Sequence, residues 1–386
     1  MSLLNGKVRI NSVIVPWGSL GKGMMAAHKG GSQFLHDLKR AGFNIDPVNV
    51  VSPSTVARCK NALTLHEFYA CRNELDKLLT QFVPGSIYAL SAVGLGGGTA
   101  NFGILMTDSV CQMTEYSSLR IYLSHELFQG KLAYEEIARR YINSNMQLAL
   151  VGMKLTNNKC SVEVMSMSTM LNQFGNSYDS VDAGLHDCWH VIMACSAHPS
   201  NRFDLEDMLS NPQFRVRTCA FSKISISGRY EAMITRTLAA MRELKPFMDD
   251  AYFSKNTRAN IIGSPLIIVA GPRDLVNNIE NAFDKGSSYV ASWDEVEKLL
   301  ESKPQDGSNA TIIPFPVELD SVYLSAIYPV DEKWFLSQCS AAKKKILEWN
   351  EKARRNTSDA LLVRVFKSMM VQAGNPRLED FLGVTS

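Results

Sequence analysis

The sequence has no CxxC pair, no apolar run approaching the roughly 20 residues needed to cross a bilayer, and no strong excess of either charge. Its eight cysteines (Cys59, Cys71, Cys111, Cys160, Cys188, Cys195, Cys219, Cys339) are scattered, which argues against a structural zinc site and a disulfide scaffold. They read as reduced, mostly buried thiols; a nucleophilic cysteine is the alternative, but none carries a local motif. A formal net charge of +2 gives no global attraction to nucleic acid or an anionic membrane, so neither membrane binding nor direct sequence-specific nucleic-acid binding is expected. No signal-peptide pattern opens the chain, and a cytoplasmic protein is expected. Repeats and low-complexity blocks are also missing, which excludes solenoids and long linkers.

What is present fits a globular chain: 386 residues, 46% apolar and 20% charged, enough for two closely joined domains. Val8 to Val15 reads as a buried strand stopped at Pro16-Trp17-Gly18, followed by a loop with Gly18, Gly21 and Gly23 and a helix from about Met24 to Ala41. Val48 to Val51 is a short strand, Leu63 to Phe82 has helical spacing, and Ile87 to Val93 is a further apolar strand. That strand runs directly into Gly94-Leu95-Gly96-Gly97-Gly98-Thr99 and a helix-compatible stretch to Met113. The recurring order of strand, glycine loop and helix favours a parallel sheet flanked by helices. Met146 to Leu155 reads as a central strand, with 114–145 as extra helix. Tyr178 to Cys195 is a long helix closed by Pro199. Beyond it come a strand at Val216 to Ile226, a helix over Arg229 to Met248, apolar Ile261 to Ala270, a helix around Leu275 to Phe283 and a strand at Val322 to Tyr328.

The glycine stretch carries the strongest chemistry. Successive glycines let backbone N–H groups approach phosphate oxygens, and the following helix N-terminus adds positive potential. The bland alternative is a turn kept glycine-rich for packing. No Gly-Lys-Ser/Thr follows, so this is not a Walker A loop. Asp204 and Asp207 in Asn201-Arg202-Phe203-Asp204-Leu205-Glu206-Asp207-Met208 are either first-turn acids favoured by a helix dipole or catalytic carboxylates. His186 and His190, four apart, share a helix face and read as packed side chains rather than metal ligands. Lys343-Lys344-Lys345 and Arg354-Arg355 lie in a helical C-terminal stretch with Trp334 and Trp349, which is either a solvated face or a contact for an acidic partner or neighbouring subunit.

The segment Ser91 to Thr99 resembles the glycine-rich phosphate loop of the tubulin/FtsZ superfamily, including its plasmid and phage members TubZ and PhuZ. The family's usual continuation is Gly-Ser/Thr-Gly; here Ala100, Asn101 and Phe102 follow, with glycine only at Gly103. The stretch Asn201 to Met208 resembles the loop after the central helix of FtsZ, whose acids reach into the neighbouring subunit's nucleotide site. Met170-Leu171-Asn172-Gln173-Phe174-Gly175-Asn176-Ser177-Tyr178-Asp179 resembles the FtsZ stretch that packs a phenyl ring on guanine and reads its amino edge with an acid. The first loop, Gly18 to Gly23, is a poorer match, Lys22 is either a phosphate contact or solvated, and the Ala-Gly-Gly-Asn sensor loop has no counterpart.

The resemblance implies an α/β fold: a Rossmann-type GTP-binding domain over 1–175, a central helix over 176–199, a smaller α/β activation domain over 200–330 and a C-terminal helix and tail over 331–386. It implies GTP and Mg²⁺ as ligands, a head-to-tail polymer of the chain itself, and a DNA-segregation adaptor or phage cargo as a further partner. By the same resemblance Asp204 and Asp207 are catalytic, Gly18, Gly21, Gly94, Gly96, Gly97, Gly98, Thr99 and Ala100 hold phosphate, and Phe174 and Asp179 hold the base. Two other readings remain: a nucleotide-binding scaffold without hydrolysis, and a dinucleotide oxidoreductase, which needs a strand ending in an acid about 20 residues beyond the glycines.

Overall fold

Strands buried on both faces must be apolar nearly throughout, and the sequence supplies several of them. The computed structural model describes residues 12–15, 32–41, 49–50, 88–97, 119–125, 133–157, 161–198, 203–248, 260–262, 265–285 and 310–372. Gly18, Gly21, Lys22, Gly98, Thr99, Ala100, the helix over Leu63 to Phe82 and the helix to Met113 lie outside the described residues.

Strands β1 (Ser12–Val15), β2 (Asn49–Val50), β3 (Tyr88–Leu95), β4 (Leu119–His125), β5 (Ser161–Ser166), β6 (Val216–Ser225), β7 (Leu266–Gly271), β8 (Thr311–Pro316) and β9 (Ser321–Pro329) form one sheet in the order β2-β1-β3-β4-β5-β6-β9-β7-β8. Every pairing is parallel except the two that β9 makes with β6 and β7. β5 is buried along its whole length and β9 nearly so, as strands covered on both faces must be.

The two halves of the sheet meet at a narrow junction. β5 and β6 pair through Val162↔Val216 and Glu163↔Arg217, then part. The backbone of Phe247 fills the gap, accepting from Ser166 N (2.6 Å) and donating to Cys219 O (2.7 Å). Glu163 and Arg217 are both fully buried there, and the Arg217 guanidinium lies 5.7 Å over the Trp189 ring and donates to Phe214 O.

Helices cover the faces. α1 (Gln33–Arg40) is capped by the Ser32 hydroxyl, which accepts from Leu35 N. α2 (Tyr134–Thr156), α3 (Met167–Gln173), α4 (Tyr178–Ala197), α5 (Leu205–Ser210), α6 (Tyr230–Glu243), α7 (Arg273–Lys285), α8 (Glu332–Arg355) and α9 (Leu361–Gln372) follow. α4 runs through the core, with Val181, Leu185, Trp189, Val191 and Ile192 at zero exposure. Each of its aliphatic side chains contributes about 1.5–3 kcal/mol by burial, so a charge at Ile192 would break the helix's seat. α1 is tied to the far half of the sheet: Asp37 accepts from Tyr323, Gln33 and Arg40, while Arg40 also reaches Asp320 at 2.6 Å. Burial raises the Asp37 carboxyl, but these hydrogen bonds reverse that and hold it below its ordinary range.

Two sequence expectations are overturned here. Met146 to Leu155 is the second half of helix α2, not a central strand, and within 114–145 the expected helix is found over residues 134–145 but not at Leu119–His125, which is strand β4. A short buried apolar run fits either period, and the companion signal, Glu135 and Glu136 in a first helical turn, lies eleven and ten residues upstream of Met146. The strands Ser161–Ser166 and Thr311–Pro316 carry little signal in the sequence, since neither is flanked by strong turn residues on both sides.

Candidate functional site

The register of three parallel strands defines one edge. Gly94 and Leu95 stand beside Ser124 and His125, which stand beside Met165 and Ser166. Ligands of open parallel sheets bind outside this carboxyl edge. The glycine turn projects from it. Gly96 has φ +96°, a left-handed backbone that favours glycine, whereas a Cβ there would meet Arg140 O at 3.4 Å, an ordinary contact, so the backbone and not the packing calls for glycine. Gly94 differs: among the described residues nothing lies within 4 Å of where its Cβ would be, so packing does not demand its glycine, and a phosphate has room to approach.

The turn is held from beneath by α2. Gln147 Oε1 accepts from Gly96 N (2.7 Å), Gln147 Nε2 donates to Gly97 O (2.7 Å), and Asn143 Nδ2 donates to Gly96 O (3.1 Å). Gln147 and Asn143 are buried, while Gly97 is exposed. Sequence reasoning missed both residues. Their signal is a pair of amide side chains at i, i+4, which share a face only in a helix and so are separated when Met146 to Leu155 is read as strand.

The base-binding candidates arise at the same edge. α3 begins where β5 ends, with Ser166 as its cap, and Phe174 closes it. Gly175 (φ +69°) and Asn176 (φ +59°) are left-handed, and Asn176 N donates back to Leu171 O (2.6 Å), which stops α3 sharply. Ser177 then caps α4, placing Asp179 in the first turn, exposed. The half-buried Phe174 ring lies against Gly184, where a Cβ would fall 2.3 Å from its Cε1, and 5.7 Å from the Phe247 ring. Burial, with the neighbouring charge of Asp179, pushes the Asp182 carboxyl up to about 7.

The candidate catalytic acids lie elsewhere. Because β6 starts where β5 starts, the segment leading into β6 lies at the amino edge of the sheet. α5 belongs to that segment, and its Leu205 N donates to Ser196 Oγ near the end of α4. α4 has 20 residues, which is about 30 Å of helix between the two edges. Asp204 and Asp207, both exposed, are therefore at the opposite end of the subunit from the glycine turn.

Other candidates resolve structurally. The His186 and His190 rings stack at 3.7 Å, fully buried, with His190 Nδ1 2.6 Å from His186 O. Among the described residues no group of three His, Cys, Asp or Glu could hold a metal. Burial pushes the Cys219 thiol up, and the Cys339 thiol to about 12, which opposes a nucleophilic role. The apolar side of α8 is used within the chain: buried Trp349 packs 5.8 Å from Tyr141 of α2 and 6.4 Å from Phe366 of α9. A cleft of about 520 Å³ at the α8–α9 junction, lined by Lys352, Asn356, Asp359, Arg364 and Lys367, contains no candidate site residue. No described helix is long and apolar enough to cross a membrane.

No protein-family model and no curated protein sequence matches the chain. Its fold is similar to solved structures. CetZ from Methanosaeta thermophila matches with TM-score 0.57 at 12% identity, covering 97% of this chain and 100% of that one. A GTPγS-bound protofilament of CetZ2 from Haloferax volcanii matches with TM-score 0.55 at 13% identity, covering 87% and 99%. A GTPγS-form protofilament of TubZ from Bacillus thuringiensis serovar israelensis matches with TM-score 0.53 at 14% identity, covering 92% and 96%. The α/β fold of the chain is thus that of tubulin/FtsZ-type proteins.

Proposed function

We propose that this chain, with its tubulin/FtsZ-type fold, binds GTP at the carboxyl edge of its parallel strands and assembles head to tail, each subunit completing the hydrolytic site of the next. One observation carries the reading: the phosphate-binding turn and the paired acids lie at opposite ends of the subunit. Within one chain they cannot meet. Stacking subunits along the axis of α4 brings Asp204 and Asp207 of one onto the nucleotide of another. The GTPγS-bound protofilaments among the similar structures support this arrangement.

Residues 1–175 then form the GTP-binding domain, 176–199 the central helix, 200–330 the activation domain and 331–386 the C-terminal helices and tail. Gly94 and Gly97 with Gly98, Thr99 and Ala100 hold the phosphates, together with Gly18 and Gly21, while Gly96, whose N–H and carbonyl are bonded to Gln147 and Asn143, shapes the turn instead of touching phosphate as the sequence had implied. Asp179 accepts from N1 and N2 of guanine, which adenine cannot satisfy, and Phe174 offers the exposed part of its ring to the base. Asp204 and Asp207, exposed carboxylates, orient a water against the terminal phosphate. Mg²⁺ bound with the triphosphate would neutralise charge there, held mainly by phosphate oxygens and water. A filament of this kind suits the positioning of plasmid or phage DNA through an adaptor or cargo contact, in the cytoplasm.

High-speed pelleting with GTP, GDP or no nucleotide, together with phosphate release, tests the proposal. Sedimentation that requires GTP, with turnover per subunit rising as protein concentration passes the assembly threshold, is the expected result. Turnover per subunit that stays constant far below that threshold would overturn it. Filaments without phosphate release would favour the scaffold reading, for which the altered Ala100 to Phe102 continuation is the motivating feature.

A further inference from the structure

We propose that Asn143 and Gln147 of α2 are positioning residues for the phosphates: their amides hold the Gly96–Gly97 turn in the shape that receives them. The inference rests on the GTP-binding reading above and deepens it. Gln147 uses both ends of its amide, accepting from Gly96 N and donating to Gly97 O, so the two contacts together specify how the peptides of the turn are rotated. Asn143, one helical turn earlier on the same face, takes the Gly96 carbonyl. Consequently the Gly96 N–H is directed into the protein and is not a phosphate ligand, while the N–H of exposed Gly97, opposite the inward Gly96 carbonyl in the same trans peptide, is turned outward.

A glycine turn without such anchors samples many conformations, and binding phosphate would have to order it. Amides fixed before the ligand arrives avoid that ordering cost, which is the basis of preorganised anion recognition. Both side chains are buried in the interior of a long helix, beside buried Leu148, Leu150 and Val151 as well as Ser144 and Asn145, where a polar group carries a desolvation cost that its bonds to the turn offset.

The test uses the full chain and the near-isosteric variants Gln147→Met and Asn143→Leu. Affinities are measured for GTP, GDP and guanosine, which lacks phosphate, alongside the thermal midpoint of the nucleotide-free protein. Gln147→Met should weaken GTP and GDP by about tenfold or more, Asn143→Leu by less, and guanosine by under about twofold. A role in general packing would lower all three affinities and the midpoint together. If Gln147→Met does not fold, Asn143→Leu, which removes a single bond, decides the matter by the same ratio. A variant whose GTP-to-guanosine affinity ratio equals that of the wild type overturns the inference while leaving GTP binding intact. Wild-type protein whose affinity gains nothing from the phosphates overturns the GTP reading itself, and this inference with it.

Discussion

Gly152→Ala is the most direct probe of how the C-terminal helices are seated. Gly152 lies on the buried side of α2 against α8, and an added Cβ would fall 2.4 Å from Cys339 Cβ and 3.2 Å from its Sγ. Neither Cβ can rotate away. Carbon atoms in contact rest about 3.5–4.0 Å apart, so the two helix backbones must separate by roughly 1 Å. Overpacking costs about 1–3 kcal/mol, and a clash between two atoms that cannot rotate lies at the upper end, about 2–3 kcal/mol, whereas alanine in a helix interior returns about 1 kcal/mol over glycine. The variant should therefore be less stable by about 1–2 kcal/mol, read as a lower urea midpoint at unchanged slope. Cys339→Gly removes the clashing atom, so the double variant should be more stable than the sum of the two single losses. A Gly152→Ala protein as stable as the wild type, or more so, would refute the close α2–α8 contact, because helix propensity alone would then be governing the outcome.

Asp204→Ala or Asp207→Ala should lower GTP turnover by about 10²–10⁴ while leaving GTP affinity unchanged, and a parallel loss of binding would place these acids in the subunit's own pocket. Asp179→Ala should abolish a preference for GTP over ATP of roughly ten- to a hundredfold; competition binding in which the wild type shows no such preference would remove Asp179 from the base site. Asp182 carries its proton up to about pH 7 in the folded state but releases it near the ordinary carboxyl value when unfolded. Its folded pKa is raised, so its effect is to lower stability as pH rises from about 4 to about 7. The advantage of Asp182→Asn over the wild type should grow across that window and then level off; a constant difference would show that burial does not perturb this group.

Local chemistry made part of this protein legible in its sequence. A left-handed glycine at Gly96, the stop at Phe174-Gly175-Asn176 and the Ser177 cap of α4 each act over a few residues, through φ angles and hydrogen bonds formed close to their own positions. The strand that leads into a glycine turn followed from such signals, as did the long central helix. What the sequence could not express was pairing across distance. Whether Met146 to Leu155 is strand or helix depends on what covers it, since an apolar run satisfies either period when buried. The hold of Asn143 and Gln147 on the glycine turn joins residues 47 to 51 apart in the chain. Trp334 and Trp349 announced apolar surface on α8, but the partner that buries Trp349 is Tyr141, over two hundred positions earlier, with Phe366, rather than a neighbouring subunit. The separation of Asp204 and Asp207 from the glycine turn is likewise a property of sheet register: two residue pairs between β5 and β6 decide at which end of the molecule the acids lie, and no local pattern in either strand encodes which residues will stand side by side.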